Sequence, residues 1–379
     1  MPPRAESRRN ADIAIVLHDL RGGGAERAML RLLAGFVAEG LAVDLVLFQK
    51  AGVYVDDIPE AVRVIDLKAA RVLSGVPRLA DYLRRARPAV ALSALTHVNV
   101  ATILAAQMAG ARRPKIFVSE RNHISLRRRA DRTLRSRMVY ASMRWAYPIA
   151  DRVIAVSEGV AADLRTLARL PDRQVVVAYN PVFDETLLQK ADAPAHHPWL
   201  GDGGDPIILA AGRLQPQKDF GLLIDAFATL LAQGVAARLL LLGEGPDRAA
   251  LEARAGAHGL GDDRIAMPGF IDNPLPYMKA CAAFALSSRY EGFPNVLVEA
   301  LACGAPIVAT DCPSGPQEIL DGGRWGALVP VGDAPAFALA LRRAIESPPD
   351  RAPLKIAAQR FSVEAAVARY RMIFDDVDR

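Results

Sequence analysis

Three cysteines, Cys281, Cys303 and Cys312, are all that occur in 379 residues. No two stand in a CxxC spacing, and the odd number leaves a thiol over in any pairing. That excludes a disulfide framework and points to a reducing compartment. Histidine is scarce as well, with six. No cluster of His and Cys has zinc-ligand spacing, and no acidic loop has the pattern of a calcium site, so no metal is expected. Aromatic residues make up 6% of the chain, too few for the stacking platforms of a single-strand nucleic-acid binder, and no nucleic-acid partner is expected. Eighteen uninterrupted apolar residues occur nowhere, which leaves no helical membrane span to expect. The basic N-terminus leads into an apolar run that holds Asp12 and continues into RGGGAER. A signal peptide would have a small-residue cleavage site there instead, and none is expected.

What is present describes an ordinary globular protein: 51% hydrophobic and 23% charged residues, at a length that calls for two cores. The net charge of +5 hides an asymmetry. Residues 1–185 carry 29 Lys and Arg against 19 Asp and Glu, whereas residues 186–379 carry 18 against 23. A basic first half favours an anionic partner. Its densest part, residues 112–144, holds eleven basic residues against Glu120 and Asp131. From Leu134, the apolar positions Leu134, Met138, Ala141, Trp145 and Ile149 fall near helical spacing. Such a stripe either packs on the protein's own sheet or lies on an anionic membrane surface.

Apolar runs of strand length alternate with amphipathic helical patterns, the mark of parallel α/β architecture. Strands are expected at 13–17, 43–48, 90–95, 116–119, 153–156 and 175–178, with a glycine-rich loop at 22–24 and a helix over 25–38 after the first. A segment rich in Ala, Pro, Asp and Gly, 191–206, reads as a linker. The same grammar restarts beyond it: strand 207–211, loop 212–219, helix 222–231, strand 238–242, then strands 281–287 and 307–310. The expected fold is therefore two tandem doubly wound, Rossmann-like parallel sheets, with ligands taken beyond the carboxyl ends of the strands, in the cleft between the domains.

Glu299 interrupts an otherwise apolar run, 296–303, and Glu291 precedes it by eight positions. A buried carboxylate needs a partner or a ligand. Residues 294–304 read as a helix opening at Pro294 or Asn295 and stopping at Gly304, so its free N-terminal amides and dipole suit an anion. A nucleotide answers both needs, with a diphosphate for the amides and ribose hydroxyls for Glu299. Arg213 and Lys218, in the loop after strand 207–211, are the cations that would neutralise such a diphosphate. His18 and His97 end first-half strands and are candidates for lining the acceptor side.

EGFPNVLVE, with two glutamates separated by seven residues, resembles the signature of the retaining GT-B-fold glycosyltransferases of family 4. GGGAER, SERN at 119–122, AGR…K at 211–218, LLGEGPDR at 241–248 and ATDCPSGPQEIL at 309–320 resemble that family in order and spacing. The resemblance implies a donor site in which Arg213 and Lys218 hold the diphosphate, Glu299 the ribose and Glu291 the hydroxyls of the transferred sugar. The backbone of Gly292, Phe293, Pro294 and Asn295 would touch sugar or phosphate, and Gly23 and Gly24 would approach the donor phosphates and acceptor. Arg213, Lys218 and Glu291 carry the chemistry in this reading. It is a front-face transfer with retention that needs no metal and no cofactor beyond the nucleotide-sugar substrate, UDP-linked rather than GDP-linked. Where several members place a histidine after the strand at 116–119, this chain has Glu120, Arg121 and then His123, and any of the three is a candidate for the acceptor side. The implied domains are an acceptor-side unit at 1–190, a donor-binding unit at 191–360 and a helix, 361–379, returning to the first. The expected acceptor is a polyprenyl-linked or growing glycan, handled in the cytoplasm or at the inner face of its membrane. A nucleotide-sugar epimerase or hydrolase and a non-catalytic nucleotide-sugar-binding protein are the competing readings.

Overall fold

The computed structural model describes residues 10–111, 113–130 and 133–376. Arg112, Asp131 and Arg132 of the basic stretch, the N-terminal residues 1–9, and residues 377–379 lie outside them. Two compact units are formed. One comprises the described residues through Pro181 together with those from Val363 onward, and the other runs from Val182 to Ser362. Val182 and Phe183 both donate backbone N–H groups to Phe361 O, at 2.9 and 3.1 Å, so the chain enters and leaves the second unit side by side. The helix Glu185–Ala191 therefore belongs to the second unit, ahead of the boundary at 190 that composition indicates.

The first unit holds seven parallel strands: β1 (Ile13–Leu17), β2 (Val43–Leu47), β3 (Arg63–Asp66), β4 (Val90–Ala94), β5 (Lys115–Glu120), β6 (Arg152–Ala155) and β7 (Val175–Val177). Their order is β3-β2-β1-β4-β5-β6-β7. β1, β2 and β4 are buried along their whole length, as strands covered by helices on both faces must be. On one face the helix Gly24–Ala38 packs against the C-terminal helix Val363–Asp375. Gly35 makes that approach possible, since a Cβ there would stand 2.6 Å from Val367 and 2.7 Å from Val363. Phe374 completes the cluster, 4.6 Å from Phe117 and 6.0 Å from Phe36 between ring centroids.

The second unit repeats the plan with β8 (Ile207–Ala211), β9 (Arg238–Leu242), β10 (Ile265–Gly269), β11 (Ala283–Leu286), β12 (Ile307–Thr310) and β13 (Ala327–Val329), in the order β10-β9-β8-β11-β12-β13. In both sheets the strand order reverses once, between β1 and β4 and between β8 and β11. A crevice opens at such a switch point because successive loops leave it in opposite directions. Each unit thus offers one place where side chains from two strand ends converge.

Candidate active site

At the β8/β11 switch point the two loops are stitched together. Arg289 donates its backbone N–H to Gln217 O at 2.8 Å, and Ser287 Oγ donates to Lys218 O at 2.8 Å. Gln217 Nε2 donates to Tyr290 O at 2.9 Å. The β9 loop lies beneath them. A Cβ on Gly243 would stand 1.9 Å from Gly212 O, and one on Gly245 2.1 Å from Leu214 O. The glycines of LLGEGPDR are therefore there for backbone-to-backbone approach, and Leu214 N bonds Glu244 O at 2.9 Å across the contact.

This scaffold joins one expected cation, Lys218, to the expected carboxylate Glu291. Lys218 Nζ lies 2.6 Å from Glu291 Oε1, and Ser288 Oγ donates to the same oxygen at 2.7 Å. Glu291 is 6% exposed, so its charge is balanced inside the loop cluster by Lys218. Oε1 is taken twice over, while Oε2 has only Gln217 at 3.5 Å and keeps its acceptor capacity. Arg213 is exposed and, among the described residues, has no hydrogen-bond or ion-pair partner. It is the cation left over for a ligand.

The helix after this loop spans Asn295–Ala302, and Pro294 is its cap rather than its first residue. Pro294 has no N–H, so of the four positions expected to offer amides only Gly292, Phe293 and Asn295 can donate. Gly315, at φ +98°, lets the loop after β12 press on this turn, since a Cβ there would meet Pro294 Cδ at 2.4 Å. The helix ends as its glycine indicates. Gly304 takes φ +71° and donates to Leu301 O at 2.8 Å, and Ala305 donates to Ala300 O at 2.9 Å. Glu299 is buried in this helix, 9% exposed, and among the described residues no side chain hydrogen-bonds or ion-pairs with its carboxylate. A structural arginine partner is thereby excluded among those residues. Its carboxylate oxygens still reach the surface, where the donors of a ligand can meet them.

No thiol competes for a chemical role. All three cysteines are free and buried, and burial pushes each up to about 12. Among the described residues no group of three His, Cys, Asp or Glu side chains is placed to hold a metal ion.

At the β1/β4 switch point the rings of His18 and His97 meet edge-on, 5.5 Å between centroids. His18 Nδ1 lies 3.6 Å from Asp19 Oδ2, and its Nε2 is buried without a hydrogen-bond partner among the described residues. Arg121 is 6% exposed; one of its terminal nitrogens holds the Asn180 side chain, and its Nε has no hydrogen-bond partner among the described residues. Glu120 departs from the expectation of an acceptor contact. It is fully buried, accepting from Thr96 Oγ1 at 3.0 Å and from Tyr147 OH at 2.6 Å. Burial raises its pKa against those bonds. The carboxylate has no access to an acceptor and ties β5 to its neighbours instead. His123 is engaged by Asp163 at 3.3 Å, on the helix Glu158–Ala168. Gly23 makes room for Glu26, whose Oε2 lies 2.4 Å from where its Cβ would be, and Gly24 opens the helix. Sequence reasoning overlooked Glu26, Asp19 and Ser288. Only Glu26 had a signal, an acid in the first turn of a helix behind glycines.

The stripe of residues 134–149 does not pack on the sheet. Leu134 is 71% exposed, Met138 60% and Trp145 80%, while Tyr140, Met143 and Ala146 of the same helix (Leu134–Ala146) face inward. Arg127, Arg128, Arg129, Arg137 and Arg144 are exposed on this helix and the one before it (Ile124–Ala130). No helix of the described residues is long and apolar enough to cross a membrane.

Two family models match the chain, Glycosyltransferase Family 4 over residues 22–185 and Glycosyl transferases group 1 over residues 205–347. A Campylobacter jejuni relative, the N-acetylgalactosamine-N,N'-diacetylbacillosaminyl-diphospho-undecaprenol 4-alpha-N-acetylgalactosaminyltransferase, is 34% identical over 202 residues, covering 53% of this chain and 52% of that protein. A GDP-mannose-dependent alpha-mannosyltransferase of Mycobacterium tuberculosis is 30% identical over 210 residues, 52% of this chain and 49% of its own. The chain spans about half the length of the curated relatives it matches. The crystal structure of the Anabaena protein HepE in complex with UDP and glucose superposes with a TM-score of 0.75 at 21% identity, covering 96% of this chain and 99% of that one. With one model on each sheet and the same fold along nearly its whole length, the chain belongs to the glycosyltransferases of family 4, built as the two parallel sheets of the GT-B fold.

Proposed function

We propose that the chain is a retaining glycosyltransferase moving a hexose or N-acetylhexosamine from a nucleotide sugar to a lipid-linked or growing glycan. The observation that carries this is the end of β8 and β11, where Lys218 pairs with the buried Glu291, while Arg213, on the same loop as Lys218, and Glu299, on the helix that follows Glu291, both lack a side-chain partner among the described residues. A nucleoside diphosphate sugar supplies what each lacks: ribose hydroxyls to Glu299, phosphate to Arg213 and Lys218, and sugar hydroxyls to Glu291 Oε2. In the transfer the acceptor's hydroxyl oxygen bonds to the anomeric carbon on the face from which the phosphate departs. The bond from that carbon to the phosphate oxygen breaks, and the hydroxyl proton passes to that oxygen. The products are a nucleoside diphosphate and a glycoside of unchanged anomeric configuration. Arg213 and Lys218 stabilise the charge that grows on the leaving phosphate, so the reaction needs no metal.

UDP is the favoured carrier, and the name of the Campylobacter relative describes N-acetylgalactosamine as the sugar that protein transfers. That relative's name also describes a diphospho-undecaprenol acceptor, and a lipid-borne acceptor suits the exposed stripe and its arginines. The enzyme then works from the cytoplasm against the anionic inner face of the membrane, Trp145 and Leu134 reaching the headgroup boundary.

A thermal-shift screen against UDP, GDP, ADP and their common sugars tests the donor reading. A ligand at about a hundred times its dissociation constant adds roughly 2.7 kcal/mol of stability. Selective stabilisation by one nucleotide, lost in Glu299→Ala and Arg213→Ala, is expected. No shift with any of them would remove the donor assignment.

A further inference from the structure

The β1/β4 switch point of the first unit carries a residue that the reading above does not use. Glu26 stands in the first turn of the helix Gly24–Ala38 and is half-buried. Its carboxylate is folded back over Gly23, occupying space that any side chain at position 23 would fill. An acid in a first helical turn has an ordinary explanation in the helix dipole. That explanation needs neither the burial nor the company Glu26 keeps. Asp19 faces it from the β1 loop and adds repulsion, while His18 and Arg121 offset part of that from the ends of β1 and β5. Burial, before any of these, pushes its carboxyl above the ordinary glutamate range, against a hydrogen bond from its own backbone. Beside it, Arg121 Nε and His18 Nε2 are buried without hydrogen-bond partners among the described residues, and His97 closes on His18. An acid, a guanidinium and two imidazoles at a switch point, with hydrogen-bonding capacity unspent, fit a neutral ligand rich in hydroxyls better than an anion, which Asp19 and Glu26 would repel.

We infer that Glu26 grips the acceptor, taking a hydrogen bond from a hydroxyl of its sugar, with His18 and His97 walling the same crevice. The inference rests on the acceptor reading given above and adds to it the residue that holds the glycan. Gly23 is then required for space: its missing Cβ lets the carboxylate sit at the crevice. The contact needs the ionised acid, so it weakens as pH falls through the raised pKa of Glu26, above the pH at which an exposed glutamate protonates. Of the groups that face the carboxylate, Arg121 and His18 favour its charged form and Asp19 opposes it.

Saturation-transfer NMR on the full chain tests this with the methyl glycosides of glucose, galactose, mannose, N-acetylglucosamine and N-acetylgalactosamine as probes. At least one glycoside is expected to contact the wild type and Glu291→Gln alike, and to lose fivefold or more of its signal in Glu26→Gln. Gly23→Ala should lose it too while keeping the charge, because its Cβ displaces only the mobile end of Glu26 and leaves the fold intact. In the wild type the signal should fall on acidification, and in Glu26→Gln it should be flat. A glycoside signal unchanged in Glu26→Gln and Gly23→Ala would overturn the inference. So would a signal lost only in Glu291→Gln, which would place the sugar in the donor crevice, or no signal with any glycoside. The donor reading is judged separately, since nucleotide titrations of Glu26→Gln and wild type should agree whatever the glycosides do.

Discussion

Glu291 and Glu299 stand eight residues apart under opposite electrostatic conditions, the first neutralised by Lys218 and Ser288, the second buried without a partner among the described residues. Removing Lys218 strands a buried charge, so Lys218→Ala should cost about 3 kcal/mol, the usual penalty for breaking such a pair. The double variant with Glu291→Gln should regain most of it, and denaturant melts of the four proteins in that cycle measure the coupling. Glu120 gives a pH-dependent counterpart. Its pKa is raised in the folded state by burial, so the folded protein holds the proton more tightly than the unfolded chain does. Stability from this group is therefore full below the unfolded glutamate pKa and is lost as pH rises through the folded one. Melting temperatures of Glu120→Gln relative to wild type should accordingly shift in the variant's favour across that window as pH rises; a constant difference would mean that Glu120 does not titrate. The candidate side chains of the second unit stand out in the sequence because spacing, glycine and charge coincide in EGFPNVLVE. Glu120 does not, because a strand-end acid looks the same in sequence whether it turns outward or is sealed under Tyr147.

Among elements, the strands that sequence made visible are the buried ones. β1 and β8 are continuous apolar runs, β2, β4 and β9 are apolar but for Asp44, Ser93 and Arg238, and all five fall within a residue or so of where pattern places them. The short outer strands β3 (RVID), β10 (IAMPG) and β13 (ALV) were missed. β3 and β13 are partly exposed and too short to show alternation, and β10 carries Pro268, which ordinarily argues against a strand. The stripe at 134–149 is a subtler case. Its apolar positions mark the outer face of the helix, and the residues that pack inward, Tyr140 and Met143, occupy the complementary register. Two apolar faces on one helix cannot be ranked from periodicity alone. Sedimentation with vesicles of phosphatidylglycerol and phosphatidylethanolamine should show binding that weakens with salt. Leu134→Ser with Trp145→Ser should lower it about tenfold with the arginines still present. Equal binding by that variant would reduce the contact to electrostatics.

At the scale of the whole molecule, the chain crosses between units twice, and its last helix returns to the first. Val363–Asp375 places Tyr370, Ile373 and Phe374 in the core of that unit. Each such side chain contributes about 1.5–3 kcal/mol when buried, so together they match much of a domain's usual margin of roughly 5–15 kcal/mol. Truncation after Ser362 should leave the first unit without cooperative unfolding while the second keeps its hydrogen-exchange protection. Sequence showed the duplicated strand–loop–helix grammar. The first crossing, at 181–182, lies ahead of the expected 190, whereas the return, at 362–363, falls within two residues of the expected 360–361. The claim on which the functional account turns is that Glu299 is kept without a protein partner for a ribose. Calorimetric titration of UDP, GDP and their 2′,3′-dideoxyribose analogues into wild type and Glu299→Gln tests it most directly. A hydrogen bond to a charged group is worth about 1.5–3 kcal/mol, so removing the hydroxyls should weaken binding to the wild type roughly tenfold to a hundredfold. Removing the carboxylate should weaken the parent nucleotide alike, and removing both should do little more. Equal affinity of wild type for the nucleotide and its dideoxy analogue, or independent losses that add in full, would contradict the account.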